Sequence, residues 1–211
     1  MKKKIVLGVL FILPVVVYLF FASGVNNFGR LPTLTENVLE VSDIDPNVQF
    51  KNKITILGFL GNNVEAMQGN AFNLNQKIYK RFGEFNDFQM IMVVPEGNEQ
   101  QVDELKSELG KLSNVDKWQF AFGTDDQIET LFKSLQTNLE LDEELSTPNV
   151  FIVDRDLSLR GRTDDEDEGV KYGYDTSSVA ELNNKMVDDV KIILAEYRLA
   201  LKKNNANRSE Q

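Results

Sequence analysis

Short, almost unbroken apolar runs alternate along this chain with stretches in which apolar residues recur every three or four positions. The first run, Ile54-Thr55-Ile56-Leu57-Gly58-Phe59-Leu60, is closed by Gly61-Asn62-Asn63 and followed by Val64, Met67, Ala71, Leu74, Ile78 and Phe82. Runs of this kind predict strands buried on both faces, and the spaced residues predict amphipathic helices that cover them. Met90–Val94 is a second strand, stopped by Pro95, and Val102, Leu105, Leu109 and Leu112 mark a second helix. Trp118–Phe122 is a third strand. Thr124-Asp125-Asp126-Gln127 has capping-box spacing and opens a helix carrying Ile128, Leu131, Phe132 and Leu135. Val150–Val153 is a fourth strand, Asp154-Arg155-Asp156 turns the chain, and Ser158–Arg162 returns as a fifth. A second capping box at Ser178–Glu181 starts a last helix with Leu182, Met186, Val190, Ile193, Leu194, Tyr197 and Leu201 inward.

The resulting order, β-α-β-α-β-α-β-β-α, implies a mixed central sheet with helices on both faces, the thioredoxin-like arrangement within the α/β class. The domain is expected over residues 53–201, followed by a polar, frayed tail over 202–211. Ahead of it, residues 23–52 hold Pro32 and Pro46 and show little periodicity. They read as a stalk or N-terminal arm, with room for short strands at Asn37–Val41 or Val48–Phe50.

The N-terminus carries a membrane signal. Lys2, Lys3 and Lys4 precede an apolar run over residues 5–22, which as a helix spans roughly 27 Å, close to the hydrocarbon thickness of a bilayer. The lysines place residues 1–4 in the cytoplasm and the remainder outside it, in the periplasm of a Gram-negative cell. A cleaved signal peptide ending near Ala22-Ser23-Gly24 is the alternative.

The 211 residues contain no cysteine and no histidine. Thiolate nucleophiles, disulfide exchange and imidazole general bases are therefore excluded, and soft-metal sites lose their usual ligands. A net charge of −10 repels a phosphate backbone and argues against nucleic acid. No nucleophile–base pair is visible, so the expectation is a protein that is not an enzyme and uses no cofactor.

Several local features, taken in order, resemble one thioredoxin-fold family. They are the anchor, the strand Ile54–Leu60 with its turn, and Trp118-x-Phe120-x-Phe122-Gly123 before a helix. Phe151-Ile152-Val153-Asp154-Arg155-Asp156, Leu159-Arg160-Gly161 and Gly173-Tyr174-Asp175 follow. Together, over roughly Lys53–Leu201, they are similar to the SCO/SenC family, membrane-tethered copper chaperones of cytochrome c oxidase assembly. The resemblance implies a C-x-x-x-C-P motif after the first strand and a histidine before the late strand. Here those stretches read Asn62–Gly69, with the thiol positions near Val64 and Gln68, and Ser146-Thr147-Pro148-Asn149. The chain thus resembles a member without copper or redox ligands, and its implied partners are a respiratory assembly factor or an oxidase subunit. The resemblance also implies a cis Thr147–Pro148 bond. Asn62, Asn63, Val64, Gln68, Thr147 and Pro148 are then the candidate vestigial site, a surface able to grip an extended peptide.

Other features have simpler readings. Asp164–Glu168 packs five carboxylates together; a solvated acidic loop is expected, and a Ca²⁺- or ligand-binding module is the alternative function. Met67, Met90 and Met92 are expected in the core, as are Trp118 and the phenylalanines. Asn207-Arg208-Ser209 matches a glycosylation sequon in the tail.

Overall fold

The structure is a computed structural model describing residues 10–17 and 29–209. The anchor expected over residues 5–22, its lysine tip and the cleavage alternative lie largely outside the described residues. Of the anchor, residues 10–17 are helical. Among the described residues no helix is long and apolar enough to cross a membrane.

The chain opens with a short strand, Thr33–Thr35 (β1), and a 3₁₀ turn at Val41–Asp43. The first buried strand is Ile54–Leu60 (β2). It is followed by a helix over Gln68–Leu74, a π-helical turn over Asn75–Tyr79, and Lys80–Phe82 (together α1). Phe88–Pro95 (β3), Glu99–Gly110 (α2), Trp118–Gly123 (β4) and Asp125–Ser134 (α3) come next. Ser146–Val153 (β5) and Leu159–Arg160 (β6) form a hairpin. Arg162–Asp165 (β7), Gly169–Lys171 (β8) and Tyr174–Asp175 (β9) precede the last helix. That helix runs over Val179–Glu181, a π turn at Leu182–Met186, and Val187–Ser209 (together α4).

The main sheet has the order β1-β6-β5-β2-β3-β4, with β9 also paired to β5. β2, β3 and β4 are parallel, while β5 runs antiparallel to β2. A parallel βαβ unit beside an antiparallel hairpin, closed by a helix, is the thioredoxin-like topology. The period of two decides what each side chain covers. Ile54, Ile56 and Leu60 of β2, with Met90, Met92 and Val94 of β3, face α1, α2 and α4. Leu57 and Phe59, with Ile91 and Val93, face α3. There Phe59, Phe132 and Phe151 meet edge-on with centroids 5.2, 6.2 and 5.9 Å apart. Met90, Met92 and Trp118 are buried as expected, and Met67 packs against the same core.

α3 alone is too short to cover its face of the sheet. Residues from the expected stalk supply the rest: Val38, Val41, Val48 and Phe50 are buried with Leu57, Phe59, Ala121 and Phe151. This segment belongs to the domain, and no strand forms at residues 37–41 or 48–50; the side chains there serve packing while Glu40 caps the 3₁₀ turn. Arg160 fastens the arm. Its Nε donates to the Leu31 carbonyl at 2.8 Å, Nη1 to Asp154 at 2.9 Å and Nη2 to Glu196 of α4 at 2.8 Å.

Further boundaries differ from the sequence reading: β3 begins at Phe88 and includes Pro95, the residue expected to stop it, and β5 begins at Ser146 instead of Val150. Regular helix in α1 begins at Gln68 instead of Val64, because Val64–Met67 forms a separate turn. The expected strand Ser158–Arg162 splits at Gly161, whose N–H donates to the Pro32 carbonyl and where an added Cβ would collide with the Lys171 carbonyl. The Ser178 box is half formed: Ser178 accepts from Glu181 N–H, but the Glu181 carboxylate accepts from Asp175 N–H. The last helix continues to Ser209, through the tail expected to fray and the sequon at Asn207. The Thr124–Gln127 box forms in full.

Candidate functional site

β2 leaves the sheet at Gly61, whose φ of 67° places it in the left-handed region. The next N–H, of Asn62, donates to the Glu144 carbonyl at 2.8 Å. The loop that receives it is held by Asp142: its carboxylate accepts from Ser146 N–H at 2.7 Å, Ser146 Oγ at 2.7 Å and Glu144 N–H at 3.0 Å. Burial works to raise the Asp142 pKa, but these hydrogen bonds outweigh it and hold the carboxyl below its ordinary value. A carboxylate so stabilised is a poor general base, and its bond to the buried Ser146 hydroxyl is structural.

Amide side chains lock the turn on its other side. Gln101 Oε1 accepts from Val64 N–H at 3.1 Å, and Gln101 Nε2 donates to Asn98 Oδ1 at 2.7 Å and to the Asn62 carbonyl at 3.3 Å. Asn63 Oδ1 accepts from Ala66 N–H at 3.1 Å, so Asn63 caps the turn Val64–Met67, one turn ahead of α1 itself. The sequence reading missed Gln101 and Asp142. An Asp four residues before a Ser at the mouth of a strand was a usable sign for Asp142; nothing in the local sequence marks Gln101.

The candidate residues divide between two sides of α1. Val64 and Gln68 line an open groove of ≈ 520 Å³ against α2, with Glu65, Glu104, Leu105 and Glu108. Thr147 lies on the far side, in a crevice it shares with Met67, Asn70, Ala71 and Met92. That crevice has a volume of ≈ 10 Å³, at the limit of a single water. Two thioethers border it, but no third soft donor joins them, so the residues present do not fit a copper site of the thiolate–imidazole kind.

Thr147–Pro148 is trans, since the described residues contain no cis peptide bond, which corrects the expected cis corner. Pro148 lies inside β5, where the register changes from Leu57↔Phe151 to Phe59↔Thr147. The two extra residues bulge out, so a proline that cannot donate interrupts no ladder bond. Its carbonyl is taken by Thr176, from N–H at 2.9 Å and Oγ1 at 2.6 Å. The Pro148 carbonyl is therefore satisfied within the domain and is not offered to a peptide.

The acidic segment is exposed at Asp164, Glu166, Asp167 and Glu168, as expected of a solvated loop, but Asp165 is buried. β7 and β8 form a hairpin in which Asp165 is 7% exposed and accepts from Lys185 Nζ at 2.7 Å; Lys185 also holds Asp167 at 2.7 Å. Lys171, 1% exposed, pairs with Glu168 and with Glu181 of α4, the latter at 2.8 Å. Arg162 Nε reaches Asp189 Oδ2 at 2.7 Å, and Tyr174 Oη donates to the same oxygen at 2.6 Å. Three of the five carboxylates are thus spent on lysines. Among the described residues no cluster of three or more His, Cys, Asp or Glu side chains is arranged to hold a metal ion.

Burial tends to raise the Asp165 pKa, but Lys185 and the N–H groups of Asp167 and Glu168 pull it below the ordinary value. The stability this contributes is full above the unfolded value near ~3.9 and is lost as pH falls through the folded one. Amide exchange between about pH 4 and pH 2 should therefore show the Arg162–Lys171 hairpin opening before β2 and β3. Asp165→Asn should remove that pH dependence.

No protein-family model matches the chain, and no curated protein matches it in sequence. Solved structures similar to it include a candidate electron transfer protein from Aquifex aeolicus (16% identity, 69% of this chain and 85% of that chain covered, TM-score 0.47). The soluble domain of Sco1 from Bacillus subtilis is another (15%, 76% and 94%, 0.45). A third is ScoI from Arabidopsis thaliana with copper bound (17%, 68% and 89%, 0.42).

Proposed function

We propose that this chain is a membrane-anchored, extracytoplasmic protein, a divergent relative of the SCO/SenC copper chaperones that acts by binding and does no catalysis. Its role is that of an accessory or scaffold in assembling a membrane respiratory complex. The reading rests on one observation: a complete thioredoxin-like scaffold whose turn and late-strand corner hold Asn62, Asn63, Val64, Gln68, Thr147 and Pro148, in a chain without cysteine or histidine. The apolar run behind Lys2–Lys4 supports the anchor and its orientation. The groove between the turn and α2 is rimmed by Glu65, Glu104 and Glu108, which favours a basic partner segment over an anionic one.

Titration with Cu(I) and Cu(II) under a competing chelator tests the ligand side of this reading. The expected result is no stoichiometric complex in the nanomolar range or tighter. Tight one-to-one binding would refute it. Crosslinking in intact membranes tests the partner side, and recovery of oxidase subunits or copper-delivery proteins is the supporting outcome.

A further inference from the structure

Charge is spread unevenly along the chain. Residues 31–197 carry 15 lysines and arginines against 32 aspartates and glutamates, whereas residues 198–209 carry Arg198, Lys202, Lys203 and Arg208 and no acid. These residues form the far end of α4, which runs to Ser209 and at 1.5 Å per residue extends about 18 Å past Tyr197. Among the described residues, Tyr197 is the last of the helix to pack against the core. Arg198, Leu199 and Ala200 are all exposed. Three successive positions sweep most of a helical turn, so the helix is already clear of the domain there. The helix macrodipole favours a cation in the last turn and accounts for Arg208, but Lys202 and Lys203 lie more than a turn before Ser209.

The same end of the domain receives the N-terminal arm. Gly29 and Arg30 border one cavity of ≈ 550 Å³ with Tyr197, Leu199 and Ala200, and Arg160 joins Leu31 to Glu196. The turn at Gly61 lies at the opposite end of the sheet. Thr55 of β2 pairs with Val153, next to Asp154 and this junction, while Leu60 pairs with Ser146, next to Gly61. The 7 residues of β2 set the two ends roughly 20 Å apart. Residues 23–28, between the apolar run and Gly29, reach at most about 21 Å. An anchor at the N-terminus therefore brings the bilayer to the end of the domain from which α4 projects, and the projection matches that spacer in length.

We propose that the basic end of α4 docks on anionic lipid headgroups of the bilayer. The inference rests on the proposed anchor, which sets the bilayer beside Gly29. Each Lys or Arg held near an anionic surface strengthens binding about fivefold, while the acidic body of the domain is repelled by the same surface and turns outward. An acidic protein surface would suit the same charges, but only the bilayer is brought to this end by the chain itself. Docked in this way, the domain holds the Gly61 turn and the groove rimmed by Glu65, Glu104 and Glu108 away from the membrane, open to a partner.

The chain has no cysteine, so Asn204→Cys and Glu96→Cys each give a single labelling site in the full chain. Glu96 is exposed directly after β3, at the Gly61 end of the sheet. The test uses nanodiscs carrying a headgroup-quencher lipid, in phosphatidylcholine alone or in an equal mixture with phosphatidylglycerol. A fluorophore at position 204 should be quenched severalfold more in the mixed lipid. That excess should vanish in ~1 M salt, where the screening length falls to about 3 Å. A fluorophore at position 96 should stay unquenched in both. Lys202→Glu combined with Lys203→Glu should abolish the excess, with melting curves confirming that the variant is folded. Quenching at position 204 no greater than at position 96, in a chain that elutes with the nanodiscs, would overturn the docking and leave the anchor standing. A chain that elutes free of the nanodiscs would overturn both. Carbodiimide links from Lys202 or Lys203 to carboxylates of a second copy, in place of lipid contact, would also overturn the docking.

Discussion

Arg160→Ala should lower the free energy of unfolding by about 3–5 kcal/mol, read from the urea midpoint of the full chain. Arg160 is 5% exposed, and Asp154, its partner, is 3% exposed. Burial works against the guanidinium charge, but the Asp154 and Glu196 bonds outweigh it and raise its pKa. Removing it strands the Asp154 charge away from water and leaves the Leu31 carbonyl without its donor. Three elements lose their junction at once: the arm, the β5–β6 hairpin and α4. Glu196→Gln is the control. Its side chain is 24% exposed, so solvent and the remaining amide take up the loss, and about 1 kcal/mol or less is expected. Comparable losses in the two variants would show that Arg160 is not the anchor of this junction.

Gly61→Ala should cost about 3 kcal/mol and be felt first at the candidate site. A φ of 67° is strained for alanine, and an added Cβ would run into the Glu144 carbonyl and come within 2.7 Å of the Ser146 side chain. Neither neighbour can yield freely, because Asp142 pins the loop through three hydrogen bonds. Exchange of the Asn62 amide, which donates to Glu144, should rise with the loss of stability. Gly97→Ala is the contrast: its φ is 91° but nothing lies within 4 Å of an added Cβ, so backbone strain alone remains and about 1 kcal/mol is expected. Equal costs would remove the clash from the account.

The strands were legible because they are buried on both faces, which calls for a nearly continuous apolar run; the two polar residues of β2 and β3, Thr55 and Gln89, are buried with a hydrogen bond to each other. β2 and β3 lie where their composition puts them. What escaped the sequence was fixed by partners remote along the chain. Val38, Val41, Val48 and Phe50 carry no period, since each fills a separate gap left by α3, so the segment reads as a linker although it packs like core. Asp165 and Lys171 sit in a run that looks solvated until the last helix brings Lys185 and Glu181 to it. At the candidate site, the residue types at Asn62–Gln68 and Thr147-Pro148 could be read from sequence. Their division between two sides of α1, the trans geometry of Pro148 and the two-residue register change in β5 are announced by no local pattern.

The burial of residues 31–50 moves the smallest autonomous folding unit upstream. A soluble version cut at Lys53, where periodicity first becomes regular, would uncover Leu57, Phe59 and Ala121 to water and leave the Arg160 guanidinium facing an empty slot at Leu31. Expression trials that start there should yield aggregated material, while those that start at or before Gly29 should yield monodisperse protein. Under the proposed N-terminal tether only residues 23–30 separate the apolar run from Leu31, the first packed side chain, a leash short enough to hold the domain close to the lipid surface.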